Sequence, residues 1–167
     1  TAMLIARHMA TRTDDPDTVP TRLICSVSDK AGLADRSLIR DLERLGVHVA
    51  LRGGRGAEPP LYTIRRFAPA IVRIDGVWFR RVAQSASALR LVAALFDGIK
   101  GQGTQVLVEG IETRGQLAAA LNVGADLLQG YVLSRPQLAG TASEDGAIPL
   151  AELLLDEPAA IPLHRIR

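Results

Sequence analysis

Several things are scarce in this chain, and each scarcity excludes something. Aromatic residues make up 4% of its 167 residues, so any core must be built from Leu, Val, Ile and Ala. A single cysteine, Cys25, excludes an internal disulfide framework and fits a reducing, cytoplasmic compartment. No apolar stretch reaches the ~18 residues of a spanning helix, so no membrane span is expected. No signal peptide is visible; the chain opens on Thr1-Ala2 and reads as a piece of a longer protein. Lysine is nearly absent among the cations, the formal net charge is only +2, and no long basic run exists. Nucleic acid is therefore not indicated as a partner. His8, His48 and His164 share no ligand spacing, which argues against a zinc site. No Ser/His/Asp arrangement is visible. The glycine-rich "RGGRG" lacks the strand-to-helix setting that a phosphate-cradling loop needs.

What is present is an alternation. Hydrophobic residues make up 47% of the chain, enough for one domain with a substantial core. Apolar, β-branched runs predict strands at Arg22–Val27, Val47–Leu51, Ile71–Ile74, Thr104–Val108 and Asp126–Val132. Helical patterns fall between them. Asp35 is placed to cap a helix with Leu38, Ile39, Leu42 and Leu45 inward and Gly46 closing it. Ser85 or Ser87 starts another, with Leu89, Val92, Leu95, Phe96 and Ile99 inward. Glu112 or Thr113 starts a third, with Leu117, Leu121 and Val123 buried and Gly124 at its end. A first helix is expected from Met3 to about Ala10. Leu51–Leu61 reads as a loop. Strands that alternate with helices predict a parallel α/β sheet, since the helix is the crossover that returns the chain. Strands so apolar predict that both faces are covered. After Pro136 the pattern stops. Residues 140–167 read as a linker, a short amphipathic helix at Ile148–Leu155 and an extended tail.

Functional groups of parallel α/β proteins collect at the carboxyl ends of strands. The residues there are Ser26, Ser28 and Asp29; Arg52 and Gly53; Arg73 and Asp75; Glu109 and Glu112; Gln129 and Tyr131. Several acids in such a place suit a hard divalent cation, which takes ~6 oxygen ligands. Arg52 and Arg73 lie among them, however, and an arginine competes with a metal for carboxylates and keeps its proton. Each acid also has a plain structural reading. Glu112 precedes a helix and can cap it, and Asp75 before Gly76 can make a turn. Cys25 reads as a buried strand residue.

The stretch "VLVEGIET", followed by "QLAAALNVGADLLQGYVLSRP" and ending at Pro136, resembles the carboxyl-terminal half of EAL domains, the cyclic-di-GMP phosphodiesterase family. The family pattern there is close to "VAEGVET…QL…LG.D..QGY..SRP". Upstream, "LICSVSD" is similar to the family's "LVLEITE", "LERLGVHVALRGGRG" to "L…G..IALDDFGTG", and "IVRID" to "LKID". The resemblance covers roughly Met3 to Pro136, and residues 1–139 are read as the carboxyl-terminal part of an EAL-like domain. It implies a TIM-barrel-like α/β fold of which this chain holds about five strands. The barrel is thus incomplete here, and an upstream segment or a companion protein is expected to complete it.

Active members of that family hydrolyse one phosphodiester of cyclic-di-GMP with two divalent metals, Mg or Mn. Two metals suit the reaction because together they activate water and stabilise the leaving oxygen. The EAL motif and the Asn-bearing strand of the family are expected to precede this chain. Carried over residue by residue, the resemblance implies a damaged site. Ser26 stands for a Glu ligand, Asp29 for the Glu that steadies the metal-site loop, Arg52 and Gly53 for the paired aspartates, and Arg73 for the lysine. Asp75, Glu109, Glu112, Gln129, Gly130 and Tyr131 keep the pattern. Exchanging two aspartates for Arg and Gly matters: unit charges ~4 Å apart at an effective dielectric of ~20 interact by ~4 kcal/mol. The expectation is a domain without catalysis and without a metal cofactor.

Two roles follow from the resemblance. One is a cyclic-di-GMP receptor, with Arg52, Arg55 or Arg73 on phosphate and Asp75, Glu109, Glu112, Gln129 and Tyr131 around the nucleotide. The other is a protein-interaction scaffold in which the arginines pair internally with Glu109 or Asp75. The alternative is an active phosphodiesterase whose metal ligands come from residues outside this chain. The family setting implied is bacterial signalling in motility, adhesion or biofilm.

Overall fold

The computed structural model describes residues 24–28, 36–135 and 153–154. Five strands alternate with helices: β1 (Ile24–Ser28), α1 (Arg36–Arg44), β2 (His48–Arg52), α2 (Leu61–Phe67), β3 (Ile71–Ile74), α3 (Gly76–Val82), α4 (Ala86–Lys100), β4 (Gln105–Val108), α5 (Arg114–Asn122) and β5 (Leu127–Leu128). The sheet order is β1-β2-β3-β4-β5 and every neighbouring pair is parallel. This is the expected α/β arrangement, an open sheet of five strands. Among the described residues β1 and β5 are its two edges. The expected helix near the amino terminus lies outside the described residues, as does most of 140–167. Of that segment only Leu153 and Leu154 are described; they are helical and pack on the core.

The described helices pack on one sheet face. Register puts Cys25, Val27, Val49, Leu51, Val72, Ile74, Val106, Val108 and Leu128 on that face. Val72, Val106 and Val108 have no exposed surface and pack with Phe79 and Phe96, also fully buried. Truncating either ring to alanine would cost about 3–5 kcal/mol, because a cavity would replace it. Cys25 itself is half-buried rather than buried. On the opposite face Ala50 and Ile71 are buried, at 0% and 4% exposure, and its margins are open. Ile24 is 51% exposed, and Ser26, His48 and Gln105 are exposed with it. The expectation of two covered faces holds at the sheet centre, where "HVALR" has three successive buried residues, and fails at edge strand β1, where "ICSVS" exposes every second residue.

Local chemistry sets the helix ends. Ser85 caps α4, its Oγ accepting from Ala88 N. Thr113, not Glu112, caps α5 in a capping box with Gln116. Leu45 was expected inward but is 54% exposed, because α1 ends at Arg44 and Gly46, at φ +75°, turns the chain away. Leu121 is half-buried, whereas Val123 is buried.

Three corrections bear on the site. Helix α2 begins at Leu61, the end of the expected loop, so "RGGRG" does lie in a strand-to-helix connection, although Pro59 and Pro60 intervene before the helix. Helix α3 follows β3 after one residue, Asp75. The expected strand Asp126–Val132 shrinks to Leu127–Leu128, since Gly130 sits against the Ile111 backbone and the chain turns there. Leu133 N and Ser134 N both donate to Gly130 O.

Candidate functional site

Residues at the carboxyl ends of β2, β3, β4 and β5 make the candidate site. Arg73 and Leu107 are register partners, and Glu109 lies two residues beyond Leu107 on the same side. The ladder continues that far, with Glu109 N donating to Ile74 O at 3.0 Å. The Arg73 Nε–H thereby donates to Glu109 Oε1, with side chains 22% and 17% exposed. Partial burial strengthens a pair of this kind beyond a surface one.

Arg52 ends β2 and is the register partner of Arg73. Neighbouring strands are ~4.8 Å apart, and like charges on facing positions of adjacent strands repel. Glu109 on Arg73 offsets that repulsion. Arg52 is exposed and has no ion-pair partner among the described residues.

Asp75 is a helix cap and a loop clamp rather than a simple turn residue. Its Oδ1 accepts from Val77 N at 2.9 Å and Trp78 N at 3.2 Å, closing the start of α3. The same oxygen accepts from Gly56 N at 2.9 Å, across 19 residues of sequence, and so ties down the 53–60 loop. Arg81 donates to Gly56 O from the other side. The next acid, Glu112, is exposed and pairs with Arg80 at 3.3 Å. Arg80 and Arg81 were not singled out in the sequence. The signal for them is "GVWFRRV", an amphipathic turn of helix directly after a capping residue.

The β5 end is laced to the β4 end. Gln129 N donates to Val108 O, Ile111 N to Gln129 O, and Val132 N to Ile111 O. Gly130 is required there: a Cβ would run into the Ile111 backbone. The Gln129 side chain is exposed. Tyr131 is 61% exposed, with the Arg135 guanidinium 5.7 Å from its ring centre.

The structure thus brings together Arg73 and Glu109, with Arg52 beside them by register. Asp75 is committed to backbone N–H groups, and Glu112 to α3. Ser26 lies on the exposed face of edge strand β1, opposite Ala50. Gly53 is half-buried against Glu58 and Pro60. Asp29 lies outside the described residues. Among the described residues, no three His, Cys, Asp or Glu side chains converge as a metal-ligand set. No described helix is long and apolar enough to cross a membrane.

The family model described as "EAL domain" matches residues 9–136. The probable cyclic di-GMP phosphodiesterase PdeA of Escherichia coli (strain K12) is 27% identical over 99 residues, 59% of this chain and 14% of that protein. Klebsiella pneumoniae BlrP1, solved as a calcium/cy-diGMP complex, superposes with a TM-score of 0.65 at 22% identity, over 81% of this chain and 34% of that one. The FimX EAL domain from Pseudomonas aeruginosa, bound to c-di-GMP, gives 0.65 at 18% identity, over 81% of this chain and 56% of that one. At these identities the two structures speak for the fold alone, and the chain spans only a minor part of the first two proteins. The family match takes in well over half of this chain, and with the parallel (βα) order on which it falls, the chain belongs to the EAL domain family.

Proposed function

We propose that this chain is a non-catalytic EAL domain of bacterial cyclic-di-GMP signalling, kept as a protein-interaction scaffold. The observation that carries this reading is the Arg73–Glu109 pair. A carboxylate at the end of β4 that is already neutralised by an arginine offers a divalent cation little. The cation would have to displace a guanidinium that keeps its proton. Asp75 has spent its Oδ1 on three backbone donors. Ser26, Arg52 and Gly53 supply no carboxylate. These residues do not fit a pair of Mg or Mn ions, and no hydrolytic step is assigned to them. The cytoplasm is the compartment this reading requires, with motility or biofilm control as its setting. A segment that pairs with the free edges of β1 and β5 would close the barrel.

A second reading, a cyclic-di-GMP receptor, has its own support. Arg52 is an exposed cation at the same strand ends, suited to a phosphate oxygen. BlrP1 and the FimX EAL domain were both solved with the dinucleotide. Titration calorimetry with cyclic-di-GMP, first with Mg and then with chelator, combined with chromatography for the linear product, separates the readings. The scaffold reading expects no heat and no product. Metal-independent heat that Arg52→Ala abolishes would establish the receptor. Linear product with Mg or Mn would establish a phosphodiesterase and end the non-catalytic reading.

A further inference from the structure

We draw no further inference here: the strongest candidate, the apolar groove between α2 and α4 lined by Leu61, Tyr62 and Leu95, is an unpartnered face, and nothing in the structure shows what covers it.

Discussion

Replacing Asp75 by alanine removes three hydrogen bonds from one carboxylate oxygen, and their sum can be worked out. Two of them, from Val77 N and Trp78 N, cap α3. Losing an N-cap acceptor costs about 1 kcal/mol. The third, from Gly56 N, is charge-assisted and half-buried, and its loss costs about 1–2 kcal/mol. Arg81 still holds Gly56 O, so the loop is loosened rather than released. The expected total is about 2–3 kcal/mol, or roughly 5–10 °C in Tm for a domain of this size.

The molecule carries its own reporter. Trp78 is the only tryptophan, is 7% exposed, and sits in the first turn of the helix that Asp75 caps. Urea unfolding followed by tryptophan fluorescence therefore reads the affected region directly. Asp75→Asn keeps an acceptor oxygen in place, and asparagine caps helices about as well as aspartate, so it should lose less than about 1 kcal/mol. An Asp75→Ala variant within about 0.5 kcal/mol of the parent would refute the clamp and cap assignment. A large loss in Asp75→Asn, equal to that in Asp75→Ala, would show that the negative charge matters and not the acceptor.

Two further outcomes follow from the same strand ends. A double-mutant cycle with Arg73→Ala and Glu109→Ala should return a coupling of about 1–3 kcal/mol in denaturant unfolding; a coupling under about 0.5 kcal/mol would mean that the pair is not formed in solution. Gly130→Ala puts a methyl into the Ile111 backbone and should cost about 3 kcal/mol or more in thermal melting; a melting temperature equal to the parent's would show that the β4 and β5 ends are not held as described.

The parts of the fold that were legible in the sequence are those with long periods. Helix α4 runs for 15 residues with Val92, Phe96 and Ile99 inward, and its apolar spacing was enough to place it. Helices α2 and α3 have 7 residues each, too few for a period to register. No side chain caps α2, and the cap of α3 abuts the preceding strand with no loop between them. β5 misled in the opposite sense. Asp126–Val132 is apolar enough for a strand, but the tie of Gln129–Val132 to Ile111 is a tertiary contact that local composition does not encode. The site was legible as a set of positions, since strand ends can be listed from the pattern. Which charges meet was not. Arg73 and Glu109 are 36 residues apart, and their meeting depends on the register between β3 and β4.

That register also fixes which sheet face the site belongs to. Ala50 and Arg52, Ile71 and Arg73, and Leu107 and Glu109 share one side, opposite the described helices. Leu107 and Leu127 are half-buried there and Ile24 is exposed, so water reaches apolar surface on that face. The five-residue edge strand β1 turns Ser26 and Ser28 to the same side, and short edges with polar side chains resist adventitious pairing. A strand segment closing the face from β1 or β5 would approach the edge of the surface that holds Arg52, Arg73 and Glu109. Closing the barrel would then take more water away from the Arg73–Glu109 pair, and the mutual attraction of the two charges would grow as the surrounding dielectric falls. The desolvation cost would rise with it, and more steeply for Arg52, which has no ion pair among the described residues. Among the described residues Arg52 is the strand-end arginine without a carboxylate, and that arginine is where the scaffold and receptor readings divide.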